Sequence, residues 1–130
     1  MTMYSATLPA LAANATPATV TVGVAEPAAF TGDTVTSITL TAPAGATTIT
    51  GVATNNPTIA VRQVRNGTVV STFATLTIGA GTNLVAETPV TIPVTSQPGL
   101  VAGDVIDVYM TQNGTGLALT AGLLLAIYVS

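Results

Sequence analysis

Threonine and branched apolar residues alternate along most of this chain, and the alternation constrains the fold more than any other feature. The stretches ATVTVGVA (18–25) and VTSITLTA (35–42) are typical. A period of two sends successive side chains to opposite faces of a strand, and Val, Ile and Thr suit a pleated, half-buried surface. Apolar residues at helical spacing are absent. The pattern therefore predicts an all-β protein.

Eight segments carry this alternation, and Pro, Gly and Asn residues separate them. The predicted strands are 18–25, 35–42, 47–53, 58–65, 68–78, 89–95, 104–112 and 123–130. Short strands at roughly even spacing indicate an antiparallel β-sandwich of about eight strands, with a jelly-roll or immunoglobulin-like strand order. We expect a single β-sandwich domain over 18–130, because 130 residues suit one core. Residues 1–17 are rich in Ala, Thr and Pro, and we expect them to form an N-terminal leader or an extended arm.

The dipeptide Asn66-Gly67 is the strongest hairpin signal in the chain. Asn-Gly is typical of a two-residue type I′ turn, because both turn positions need a positive φ. At a constant register, such a turn would sort the side chains of the hairpin by parity. The predicted core face carries Ile59, Val61, Val70, Ala74, Leu76 and Ile78. The predicted outer face carries Arg62, Val64, Val69, Ser71 and Phe73.

This outer face is unusually apolar for a solvated surface, and it holds one of the two basic residues of the chain. Arginine is common at interfaces, because its planar guanidinium group bonds carboxylates and carbonyls. We therefore predict that the face contacts another chain through Arg62, Val64, Val69 and Phe73. The alternative is that Arg62 and Arg65 solubilise the hairpin or pair with acids of the same chain.

Charged residues make up only 5% of the chain, and the formal net charge is −3. Nucleic-acid binding rests on clustered Lys and Arg that neutralise phosphates, and two arginines cannot form such a cluster. The longest apolar run, Leu123–Val129, is far shorter than the roughly 20 residues that a membrane-spanning helix needs. We expect neither nucleic acid nor a membrane among the partners.

Side chains suited to catalysis are scarce, because the chain contains no His, Cys or Lys to activate a nucleophile. Asp104 and Asp107 look like a carboxylate pair, but three positions apart on a strand they point to opposite faces. Calcium-loop and phosphate-loop motifs are also absent. We predict that the protein is not an enzyme, with no catalytic residue, no metal site and no cofactor. The remaining interpretation is a surface protein or a binding module.

Two parts of the chain together resemble the small capsid decoration, or cement, proteins of tailed bacteriophages, particularly those that infect actinobacteria. They are LVAGDVIDVYMTQNGTGLALTAGLLLAIYVS (100–130) and TITGVATNNPTIAVRQVRNGT (48–68). The resemblance covers roughly residues 30–130. It lies in a Gly-Asp entry into an apolar strand, a Gly-Thr-Gly turn, an apolar final strand and an Arg-bearing hairpin upstream.

The resemblance implies a virion structural protein on the outer surface of an icosahedral head. Such a protein would be a β-sandwich, often a homotrimer, that binds the major capsid protein and stabilises contacts between its subunits. The alternative is a receptor- or carbohydrate-binding module of a phage fibre or surface adhesin. That function usually needs exposed aromatic rings, and this chain has only three Tyr, two Phe and no Trp.

Overall fold

The computed structural model describes residues 2–14, 17–22, 32–96 and 99–130. These residues form eight strands and no helix. The strands are β1 Thr2–Leu8, β2 Ala18–Thr21, β3 Val35–Thr41, β4 Pro57–Arg65, β5 Thr68–Thr77, β6 Val90–Thr91, β7 Val105–Gln112 and β8 Leu123–Val129. All of their ladders are antiparallel. The prediction of an all-β antiparallel β-sandwich is confirmed.

The strands form two four-stranded sheets, in the orders β1-β8-β3-β6 and β2-β7-β4-β5. The first strand pairs with the last, the second with the seventh, the third with the sixth and the fourth with the fifth. This nesting is that of one long antiparallel hairpin rolled up until its arms contribute to both sheets. It is the strand order of a jelly roll, one of the two orders that the sequence left open.

The hydrophobic core lies between the two sheets, and the alternation along each strand fills it. In β7, for example, Ile106, Val108 and Met110 are buried, while Val105 and Tyr109, at alternate positions, are only half-buried. The largest fully buried side chains are Phe73, Leu8, Ile38, Leu40, Ile59, Ile78, Leu84, Ile92, Leu100, Ile106, Met110 and Leu123. Burial of one such side chain stabilises the fold by about 1.5–3 kcal/mol, so this core supplies the main driving force.

Residues 2–8 form β1 rather than an unpaired leader, and they pair with β8 along their whole length. Their alternation is weak because their inward positions include a small residue. Tyr4 and Ala6 are half-buried and Leu8 is buried, while Ser5 and Thr7 are exposed. The first strand of the sandwich therefore lies within the predicted N-terminal segment.

Two predicted strands are much shorter in the structure. Residues 47–53 contribute only an isolated bridge between Ile49 and Leu84, and 89–95 contribute only β6 and an isolated bridge from Val94 to Ala74. Gly51 lies so close to the carbonyl oxygens of Gly79 and Thr82 that a Cβ atom would clash with both, so only glycine fits at this contact. Residues 23–25 of the predicted strand 18–25 lie outside the described residues.

Asn66 and Gly67 form the predicted two-residue turn between β4 and β5, with φ angles of 51° and 79°. Positive φ at both positions identifies the type I′ geometry, which matches the twist of the flanking strands. Arg65 pairs with Thr68 across the turn, as the sequence predicts.

Further along the hairpin, β5 contains two β-bulges, and these overturn the predicted sorting of its side chains. The register with β4 skips Val70 and then Phe73. At a bulge, two residues of one strand oppose a single residue of its neighbour. Val69 and Val70 are therefore both exposed, at 43% and 49%, whereas Phe73 and Ala74 are both fully buried. The prediction that Val70 faces the core and Phe73 faces outward is wrong.

Candidate interaction face

A row of valines crosses the outer surface of the second sheet next to the Asn66-Gly67 turn. Val64 of β4 lies between Val105 of β7 and Val69 of β5 in the paired register. The bulge adds Val70 beside Val69, and these two are exposed while Val64 and Val105 are half-buried. We refer to these four valines as the valine row. The row is an apolar strip at one end of the sheet.

The next row of the same surface holds an ion pair. Arg62 and Asp107 are register partners on β4 and β7. The Nε atom of Arg62 donates to Oδ1 of Asp107 and its Nη2 atom donates to Oδ2, both at 2.8 Å. The guanidinium carbon also lies 4.6 Å from the centre of the Tyr109 ring. The hydrogen bonds to Asp107 raise the pKa of Arg62, although partial burial opposes this effect.

A second ion pair lies at the same end of the sandwich on the core side of the sheet. The buried carboxylate of Asp104 accepts bonds from Arg65 Nε at 2.7 Å and Arg65 Nη2 at 2.9 Å. Gln63 Nε2 and the backbone N–H of Val101 also donate to it, at 2.6 and 3.0 Å. These bonds, those of Arg65 first, lower the pKa of Asp104 to about 2, although burial opposes the shift. The cluster ties the loop before β7 to β4.

The structure shows what the guanidinium groups of Arg62 and Arg65 bind. Each pairs with an aspartate of the same chain, which is one of the possibilities stated from the sequence. Asp104 and Asp107 lie on opposite sides of the sheet and belong to separate pairs, as strand parity predicts.

Of the four predicted contact residues, Arg62, Val64 and Val69 share one surface, and Phe73 lies in the core because of the second bulge. Contact with another chain remains a prediction for the first three. Sequence reasoning missed Val105, which joins the valine row. The alternation of 105, 107 and 109 gives these residues a common face, but only the pairing of β4 with β7 shows that this face continues that of Arg62.

This surface presents apolar side chains and paired charges. Within the described residues, no three acidic, histidine or cysteine side chains converge as a metal-binding group would. The described part of the chain also forms no cleft of ligand size. It contains no helix, and therefore no helix that could span a membrane. Asp107 and Asp104 bind the guanidinium groups of Arg62 and Arg65, so neither arginine supplies an unpaired charge to the valine row.

No protein-family model and no curated protein matches the chain. Among solved structures, it is similar to a chain in the structure of infectious bursal disease virus Gx strain, with 16% identity and a TM-score of 0.40. It is also similar to a chain in that of the Gt strain, with 16% identity and a TM-score of 0.41. Each match covers 97% of this chain but only 31% and 29% of the viral chains. These similarities assign no family to the chain.

Proposed function

We propose that this chain is a virion structural protein. The observation that carries the proposal is a complete eight-strand jelly roll whose exposed surface offers an apolar strip and no cleft in its described part. Jelly rolls recur in viral capsid and lectin domains. A lectin needs a shaped polar site with accessible rings, whereas a shell protein needs broad, chemically inert contact surfaces.

The aromatic side chains favour the shell protein over the carbohydrate-binding alternative. Phe73 is buried in the core, and Arg62 covers one face of Tyr109. These two rings are thereby poorly placed to stack on a sugar. The sparse charge supports the same choice, because uncharged faces can approach one another without desolvating ions.

In its specific form, the proposal is that the protein decorates the outer surface of a tailed-phage head and stabilises contacts between major capsid protein subunits. It acts without a cofactor and catalyses no reaction. We further propose that it assembles as a homotrimer and that the valine row lies in a contact between chains. Valine side chains that stay exposed in a monomer would be covered there, which contributes about 25 cal/mol for each Å² of apolar area removed from water.

The direct test is binding to undecorated heads assembled from the major capsid protein of the phage that encodes the chain. The purified protein is mixed with these heads, the heads are sedimented, and the bound protein is quantified. We expect saturable binding in a fixed ratio to the capsid subunits. Light scattering on the protein alone should give three times the chain mass of 12.8 kDa.

A matched pair of variants tests the role of the valine row. Val69→Lys adds a charge within the row, and Thr75→Lys adds the same charge further along β5, where Thr75 is also exposed. We expect the first variant to lose the trimer or the binding to heads and the second to keep both. Equal behaviour of the two would remove the valine row from the proposal. If the unmodified protein ignores the heads, the decoration role is overturned and a receptor-binding module becomes the better account.

A further inference from the structure

The two sheets end in four edge strands, and three of these edges are protected. β6 has only two residues and β2 only four. β5 is long, but its two bulges distort the edge, and a bridge from Ala74 to Val94 covers part of it. The backbone N–H of Thr95 also donates to the carbonyl oxygen of Phe73 at 2.8 Å. Short strands, bulges and coverage are the usual means by which proteins keep edges from pairing with other chains.

Among the residues that the structure describes, nothing gives the fourth edge, β1, any of these protections. Seven consecutive residues, Thr2–Leu8, pair with β8 without a register shift, so the strand is regular. It contains no charged residue and no proline. No strand among the described residues pairs with its other side. A long, regular and uncharged edge presents a row of backbone donors and acceptors with which another extended strand can pair.

We propose that β1 pairs with β1 of a second copy of this chain, antiparallel and across a two-fold axis. The register centred on Ser5 is self-complementary. It places the two Ser5 residues opposite each other, Tyr4 opposite Ala6 and Met3 opposite Thr7, so that in the last two pairs a large side chain meets a smaller one. No like charges oppose each other in this arrangement, and such opposition is what would destabilise a cross-strand pair.

This pairing would join the two first sheets into one continuous sheet, β6-β3-β8-β1-β1-β8-β3-β6. Met3 of one copy, which is 53% exposed in the monomer, would then lie opposite Thr7 of the other copy on the same face of the sheet. The contact lies on a different sheet from the valine row, so it would link two oligomers built through that row. The inference rests on the edge geometry and is independent of binding to a phage head.

Single-cysteine variants test the contact directly, because the chain has no cysteine of its own. Two-fold pairing centred on Ser5 places the two Ser5 residues opposite each other at a cross-strand distance that a disulfide can span. Under mild oxidation, Ser5→Cys should form a covalent dimer on a non-reducing gel. Thr75→Cys, on the protected β5 edge, is the control. We expect the Ser5→Cys dimer to form at least about tenfold faster, because pairing raises the effective concentration of the two thiols.

A mixing experiment tests the register. Met3→Cys and Thr7→Cys variants, one of them carrying a mass tag, should cross-link to each other and only poorly to themselves. The residues are exposed in β1, so the fold should tolerate the changes. Equal rates for Ser5→Cys and Thr75→Cys, or no cross-linking at Ser5, would overturn the pairing. Self-linking of Met3→Cys as fast as the mixture would overturn the antiparallel register.

Discussion

At the scale of single residues, the ionisation of Asp104 contributes to the stability of the fold. Its carboxylate is buried, and donors from Arg65, Gln63 and Val101 surround it. The folded state therefore holds the pKa at about 2, below the ordinary value of 3.8. A carboxyl group whose pKa is lower in the folded state stabilises the protein above its unfolded pKa and loses that contribution as pH falls through the folded value.

We predict that the free energy of unfolding falls by roughly 2 kcal/mol between about pH 5 and pH 2 because Asp104 becomes protonated. Urea unfolding at a series of pH values measures this dependence. In Asp104→Asn the corresponding part of the pH dependence should disappear, and the free energy of unfolding at neutral pH should be lower than in the unmodified protein. Glu87→Gln, which removes an exposed carboxylate, serves as the control. A wild-type pH dependence retained in Asp104→Asn would contradict the assignment.

Arg62 shows how far the candidate site could be predicted from single residues. Its outward direction follows from strand parity, and so does the separation of Asp104 from Asp107. The identity of its partner does not follow from strand parity, because Asp107 lies 45 positions away and becomes a neighbour only when β7 pairs with β4. A two-residue period determines which face a side chain occupies but carries no information about which strand lies beside it.

At the scale of elements, the β4–β5 hairpin shows where local sequence rules hold and where they stop. The Asn66-Gly67 turn sets the first pairs, because its backbone conformation is local. Beyond those pairs, the two bulges reverse the expected positions of Val70 and Phe73. The bulge at Phe73 brings a large ring into the core beside Ala74. The gain from burying that ring, an effect of tertiary packing, outweighs a regular ladder and has no sequence signal as clear as Asn-Gly.

This register predicts effects of very different size for two apolar residues of β5, Phe73 and Val70. Phe73→Ala should lower the free energy of unfolding by about 3–5 kcal/mol, because it removes a fully buried ring. Val70→Ala should change it by less than about 0.5 kcal/mol, because Val70 is 49% exposed. Urea unfolding of both variants provides the comparison. A regular hairpin without bulges would reverse the order of the two effects, and that result would refute the register.

The same reasoning explains β1. Its alternation was too weak to predict a strand from the sequence, because Ala6 contributes little apolar signal at an inward position. The strand forms because β8, which is strongly apolar, offers it a full ladder of hydrogen bonds. An element of this kind depends on its neighbour, so only the assembled sheet reveals it.

At the scale of the whole molecule, the nesting of the strands separates contacts that are close in sequence from contacts that are far apart. The β4–β5 pairs close across a two-residue turn, whereas β1 pairs with β8 from opposite ends of the described chain. Each outer pair of the nest needs a larger loop to close, and the entropy cost of closure grows with loop length. Folds dominated by such distant contacts fold in milliseconds to seconds.

We predict that folding begins at the β4–β5 hairpin and that β1 docks late. Gly67→Ala strains a turn position whose φ is 79°, and it should slow refolding. Leu8→Ala removes a buried side chain at the end of β1, and it should mainly speed unfolding, because contacts absent from the transition state affect only that rate. Stopped-flow refolding and unfolding in urea measure both rates. If Leu8→Ala slows refolding by the whole of its stability loss, then the first and last strands pair before the transition state, and the jelly roll closes from its ends rather than from its central hairpin.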